Sequence, residues 1–279
     1  IVHVFGGSAW RLGAEIAAEV GAGLALEVWR VGLIEKARNL KLDDDEPLLI
    51  APDPAIERAL LDAAGAVGGP PTRLAAWGVV APSAPRDIFD PARAPSVMLV
   101  GSGRDARSFG AALEGLAAVA HEVPDLLIFC DALAARRAGL WALARRLGIL
   151  ENLSLIEEFE GRRDLLLHGD VLLQPEAHGE QRSILLEAMA SGMVVIAAAD
   201  PMVSSLQEGR TARLVRHNDQ HTWREVIREM MSNPERSRAL GDSARAFIRE
   251  YRRASDHVRA VLGAYEWLTS DEPIPFKGS

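Results

Sequence analysis

Lysine is nearly missing from this chain. Lys36, Lys41 and Lys277 are the only three among 31 basic residues, so arginine carries the positive charge. The planar fork of arginine suits paired contacts with phosphate, although a compositional bias of the source leaves the same trace. Cysteine is rarer still. Cys130 stands alone, which excludes an internal disulfide, and its place in the apolar run 126–130 points to core packing rather than to a nucleophile. No stretch approaches the roughly 18 apolar residues of a membrane span. No signal peptide is recognisable, and a cytoplasmic location is the expectation. There is no excess of positive charge: the net charge is −8. A dedicated nucleic-acid binder needs a surplus of Lys and Arg, so that class is set aside, and any membrane contact is at most peripheral. An initiator methionine is absent too. The chain opens at Ile1 inside an apolar run, so residues before Ile1 are expected.

What is present is the balance of a globular protein: 279 residues, 48% hydrophobic and 25% charged. That length suits one to two domains at roughly 100–200 residues each. Short apolar runs at 2–5, 24–28, 48–51 and 74–80 read as strands, with helices over 10–20 and 54–64 between them. Four prolines (Pro82, Pro85, Pro91 and Pro95) exclude continuous helix or central strand over 81–95 and mark a domain boundary. Beyond it the rhythm is regular. Strands are expected at 97–100, 126–130, 153–156, 171–173, 194–198 and 212–215. Helices are expected at 109–121, 134–147, 162–168, 184–191 and near 203–208. Strands alternating with helices, each strand a continuous apolar run, predict a parallel sheet covered on both faces. The last third is helical over 222–231, 234–251 and 255–268. The domains are therefore drawn at 1–95, 96–254 and, for a final helix and tail, 255–279.

Ligands of such sheets bind beyond the carboxyl ends of the strands. Four loops lie there. Gly101-Ser102-Gly103-Arg104-Asp105-Ala106-Arg107 offers glycines for close backbone approach and two arginines for a diphosphate; a tight turn with two solvated arginines is the other reading. Gln174 to Ser183 leads into a helix that Ser183 can cap and whose N-terminus can take a phosphate. Glu187, one turn inside, can accept hydrogen bonds from sugar hydroxyls or pair with an arginine. The loops 157–163 and 200–208 can close over a ligand. The acidic run Asp43-Asp44-Asp45-Glu46 reads as a solvated loop before a cation site, and no carboxylate pair has metal-site spacing.

Two runs carry a resemblance: Asp170-Val171-Leu172-Leu173-Gln174-Pro175, and Leu186-Glu187-Ala188-Met189-Ala190-Ser191-Gly192 with Met193-Val194-Val195-Ile196. Together with 208–215 and 233–245 they resemble the retaining glycosyltransferases of the GT-B fold, in the large group 1 (glycogen-synthase-like) family. The resemblance spans roughly residues 96–268 and is weaker before them. It implies an α/β chain of two Rossmann-like, doubly wound parallel-sheet domains, the first of them incomplete and on the acceptor side.

The resemblance also implies roles. Glu187 matches the second glutamate of the family's E-x7-E motif, which holds the donor ribose. Gly179 stands at the first glutamate, which contacts the donor sugar; Glu180 takes that catalytic place if the loop shifts by one residue. Glu180, Gln181, Arg182 and Ser183 replace a segment whose backbone lies along the sugar and phosphates. Arg107 matches a diphosphate-binding lysine. Ser102 stands at its partner arginine, with Arg104 two residues on and Gly101 before it. Pro201 and Ser204 stand at a glycine and a glutamate. The implied activity is transfer of a sugar from a nucleotide diphosphate sugar to an unknown acceptor (glycan, lipid or small molecule), with no metal or other cofactor. A catalytically degenerate ligand- or partner-binding protein is the alternative. An epimerase of similar fold would need acid or base groups in the cleft, for which His3, His168 and His178 are candidates by type.

Overall fold

The computed structural model describes residues 1–40, 46–65, 68–84, 86–161, 163–216 and 218–270, without the side chains of Glu160, Arg163 and Leu167. The expected tail over 271–279 and Asp43 to Asp45 of the acidic run lie outside the described residues.

Two parallel sheets form the molecule. The first has four strands in sequential order: β1 (Val2–Val4), β2 (Leu24–Glu27), β3 (Leu48–Ala51) and β4 (Thr72–Leu74). The helices α1 (Trp10–Val20), α2 (Ile34–Arg38) and α3 (Pro54–Ala64) connect them. The second has six strands in the order β10-β9-β8-β5-β6-β7. These are β5 (Ser96–Leu99), β6 (Leu127–Asp131), β7 (Leu153–Ile156), β8 (Val171–Gln174), β9 (Val194–Ala198) and β10 (Arg213–Val215). Every pairing in both sheets is parallel. All residues of β2, β3, β5, β8 and β9 are buried, which is why they are unbroken apolar runs.

Helices cover the second sheet: α4 (Ala106–Glu122), α5 (Ala132–Ala138), α6 (Leu140–Leu147), α7 (Ser183–Ser191), α8 (Gln220–Ser232) and α9 (Pro234–Tyr251). Phe109, Leu113 and Trp223 pack on one face of the sheet, and Leu185, Met189, Phe247 and Ile248 on the other. The last helix, α10 (Ala254–Thr269), returns to the first sheet, where Ala264 closes over Ala25, Leu48, Ile50 and Ala75.

Local chemistry sets the ends of these elements. Asp53, Asp105, Asp131, Asp219 and Asn233 cap α3, α4, α5, α8 and α9 by accepting from backbone N–H groups of the first turn. Three expectations need correction. The helix over 134–147 is two helices, because Gly139 at φ 67° ends α5 in the left-handed conformation. The segment 203–208 forms turns rather than a helix. There the Thr211 hydroxyl donates to the carbonyl of Ser205 at 2.5 Å and accepts from Gln207 N at 2.8 Å, which holds a compact loop. The strand expected over 74–80 is confined to β4; beyond it Val79 pairs instead with the chain around Arg253.

Two buried carboxylates hold the connector and the domains in place. Asp170, fully buried, accepts from Phe89 N and Ser96 N, both at 2.8 Å, and from Arg93. It thereby ties down the connector that leads into β5. Beside it Arg86 donates to the carbonyls of Leu166 and Gly169. Burial, with Arg93 next to it, pulls the pKa of Arg86 down to about 10. Asp53 joins the domains directly. Besides capping α3 it accepts from Ser204 Oγ and from Arg252, each at 2.8 Å, and Arg252 also donates to Ser204 Oγ at 2.7 Å.

Two tests follow from this packing. Asp53→Ala strands a buried guanidinium and should cost about 3–5 kcal/mol in urea unfolding; a loss below about 1 kcal/mol would show that the Asp53 contacts are not what holds the domains. Burial, with the charge of Asp131 second, pushes the Cys130 thiol up to about 12. The folded protein should therefore leave Cys130 unmodified by a thiol reagent at pH 8, and denaturant should release it.

Candidate functional site

The carboxyl ends of β5, β6 and β8 bring the predicted loops together. After β5 the chain turns through Gly101 (φ 145°) and Gly103 (φ 71°), and a Cβ at 103 would lie 2.4 Å from the carbonyl oxygen of Ala134. Arg137 of α5 donates to the carbonyl of Ser102 at 3.1 Å and holds the turn from the other side. Asp105 then caps α4. The Ser108 hydroxyl it accepts from keeps its carboxyl below the ordinary range.

The loop between β8 and α7 is pinned to the first domain. Val31 N donates to the carbonyl of Gly179 at 3.1 Å, and Gln181 N donates to that of Trp29 at 2.9 Å, so the two segments pair as an antiparallel bridge. Gly179 N donates to the Asp200 carboxylate at 2.7 Å, and Gln181 Nε2 to the carbonyl of Met202 at 2.7 Å. Gly179 has φ 60°, and a Cβ there would lie 2.2 Å from Val31 Cγ2. Only glycine fits. Glu180 and Arg182 form an ion pair at 2.8 Å with side chains 15% and 10% exposed. The sequence reads Ser183 as the cap of α7, but it is the first residue of the helix; the capping position is Arg182, whose guanidinium has no acceptor to offer the N–H groups of the first turn. Ser183 and Glu187 are the two residues of α7 that escape burial, and their four-residue spacing puts them on one face.

Two clefts meet at this point. One, of about 280 Å³, is lined by Gly101, Ser102, Arg104, Arg137, Glu180 and Arg182 together with Asp131 and Glu158. The other, of about 530 Å³, lies against the first domain and takes in Arg30, Arg104, Asp105, His178 and Glu180. Arg104 and Glu180 line both. Arg107 is not with them: it lines a separate groove with Arg146, Asn218 and Asp219. Grooves of similar size on α8 and α9 are lined mostly by those helices' own charged side chains, with Arg213 and Arg253 beside them.

Of the three histidines, only His178 borders a cleft. His3 is held between Glu27 at 3.1 Å and Tyr265 at 2.8 Å, and His168 is exposed at the end of a short 3-10 helix. Arg30, Arg137 and Glu158 went unnoticed in the sequence. The φ of 53° at Glu158 is a local strain with no sequence signal. Arg30 and Arg137 reach the clefts through tertiary packing. Among the described residues no group of three or more His, Cys, Asp or Glu side chains could hold a metal ion, and no helix is long and apolar enough to cross a membrane.

Solved structures share this fold. Anabaena HepE in complex with UDP and glucose superposes with a TM-score of 0.72 at 15% identity, over 95% of this chain and 77% of that one. Sucrose-phosphate synthase from Thermosynechococcus elongatus gives 0.71 at 18%, over 95% and 73%. A glycosyltransferase from Rickettsia africae gives 0.63 at 13%, over 95% and 82%. The fold is GT-B.

Within this GT-B chain, residues 127–247 match the family model described as glycosyl transferases group 1. The D-inositol 3-phosphate glycosyltransferase of Streptomyces coelicolor is 31% identical over 113 residues, 39% of this chain. The match spans a quarter of that relative's length.

The pinned loop makes a prediction. Gly179→Glu, which puts at this position the glutamate that the family resemblance implies, should destabilise the fold through both its positive φ and the clash with Val31. Gly179→Ala already should cost about 1–3 kcal/mol in urea unfolding. A variant as stable as wild type would mean that the bridge to Trp29 and Val31 gives way without loss.

Proposed function

We propose that this protein transfers a sugar from a nucleotide diphosphate sugar to an acceptor with retention of configuration, as the group its motifs resemble does. The observation that carries the reading is the convergence of Arg104, Arg137 and Arg182 on one cleft at the strand ends, beside the Ser183–Glu187 face of α7. The cationic forks stabilise the charge that develops on the leaving diphosphate, and this needs no metal. Glu187 holds the ribose. Glu180 lies at the cleft, ion-paired to Arg182, and takes the place beside the donor sugar that Gly179 cannot fill. The acceptor, a glycan, lipid or small molecule, enters from the first domain past Arg30 and His178. The acidic net charge and the single buried cysteine accord with a cytoplasmic protein that touches membranes at most peripherally.

UDP is the first nucleotide to try. HepE has been solved with UDP-glucose, and the pneumococcal O-GlcNAc transferase GtfA with UDP and GlcNAc. The locked Gly179 also favours a second reading, a protein that binds a nucleotide sugar or a partner without turning it over.

The test is calorimetric titration with UDP, GDP and ADP and their sugar conjugates, followed by assay of release of the nucleotide. One nucleotide should bind saturably. Arg104→Ala should weaken it tenfold or more, and Arg107→Ala, in its separate groove, should weaken it less. Binding without release in the presence of varied acceptors supports the second reading; binding of no nucleotide sinks the first reading and leaves only the partner-binding form of the second.

A further inference from the structure

The loop between β5 and α4 aims three donors at one point, and the protein itself fills that point. Glu176 Oε2 accepts from Ser102 N at 2.5 Å, and Oε1 accepts from Ser102 Oγ and from Asp105 N, each at 3.0 Å. The carboxylate arrives from the neighbouring strand end, after β8, and Glu176 is only 4% exposed. His178 Nε2 stands 4.0 Å from Oε1. The donors lead into the 17-residue α4: Asp105 N is at its capping position and Ser102 three residues before it. Backbone N–H groups converging at a helix start are the chemistry of an anion cradle. Position 101 is shaped to this carboxylate as well: a Cβ there would lie 2.7 Å from Glu176 Oε2, at a φ that side chains avoid. The cradle is not sealed inside the domain. Gly101 and Ser102, which form it, also line the cleft that holds Arg104, Arg137 and Arg182.

We infer that Glu176 is a resident anion that occupies a phosphate-class cradle and denies it to ligands. A carboxylate and a phosphoryl group present acceptor oxygens to the same donors, so only one of them can occupy this point. The covalently attached one competes at a high local concentration. A diphosphate in the cleft therefore lies on the three arginines and not on the amides of the β5–α4 loop. This last step rests on the cleft being the donor site. The occupancy of the cradle does not.

Inorganic phosphate is the probe, because it can report on the cradle without a nucleotide. Full-length wild type, Glu176→Ala and Glu176→Gln are titrated calorimetrically at constant ionic strength, with chloride as the matched control. Glu176→Ala should bind phosphate at least tenfold more tightly than wild type. Glu176→Gln keeps the cradle filled and should gain nothing. If Glu176→Ala does not fold alone, Glu176→Ser, which keeps a hydroxyl, is titrated in its place, and phosphate should also raise the refolded yield of the alanine variant. A purely structural role for Glu176 predicts lower melting temperatures with no gain in phosphate affinity, and that result overturns the inference. So does wild type that binds phosphate as tightly as the alanine variant. Failure of nucleotide binding to wild type with phosphate capture intact in Glu176→Ala would remove the donor-site reading and leave the cradle standing.

Discussion

The carboxylate of Asp53 gathers donors from three distant parts of the chain: the first turn of α3, the loop at Ser204, and Arg252 at the end of α9. Each has a different duty. The first belongs to the first domain, the second borders the loop that meets Gly179 through Met202, and the third begins the crossover into α10. With the bridge of residues 29–31 to 179–181, this carboxylate fixes how the two sheets face each other. The clefts between them inherit their shape from it. A buried ion pair of this kind is weak evidence for added stability but strong evidence for a specified arrangement, because losing one partner strands the other.

The chemistry of the site follows a rule of internal satisfaction. The amides after β5 are met by Glu176, Arg182 by Glu180, the N–H of Gly179 by Asp200, and the backbone at 179 and 181 by the first domain. Polar groups in a half-buried loop are costly to leave unpaired. A ligand entering here meets groups that already have partners, so it must gain more than it displaces. Arg104 stands between the two clefts and is the arginine best placed to meet an incoming anion.

Much of the fold was legible because a parallel sheet writes itself as apolar runs between helices. Glu187, one turn inside an otherwise apolar helix, could be read too, whereas Ser183, read as the cap, is the first residue of that helix. The misreadings came where a single residue decides between local conformations. Gly139 splits a helix whose flanks are strong helix formers, and Thr211 folds 203–208 into turns by a bond that no periodicity reveals. Arg107 was placed beside Arg104 by motif position, but Arg104 lies in the loop before α4 and Arg107 in its first turn, and the two line different grooves. Glu176 sat in plain view inside a quoted segment. Its partners are 71 to 74 residues away, and only the adjacency of β5 and β8 brings them together.

The return of α10 to the first sheet has a bearing on how the chain is made. The face formed by Ala25, Leu48, Ile50 and Ala75 is covered by side chains from 260–268, which leave the ribosome after the whole second domain. At about 5–20 residues per second the first sheet waits on the order of ten seconds or longer for its cover. Over that interval an apolar face with no lid is open to wrong partners. Completion of the first domain thus follows synthesis of the second. A nascent chain that stalls between β4 and Ala254 carries a bare sheet face, a recognisable object for a chaperone and a hazard without one.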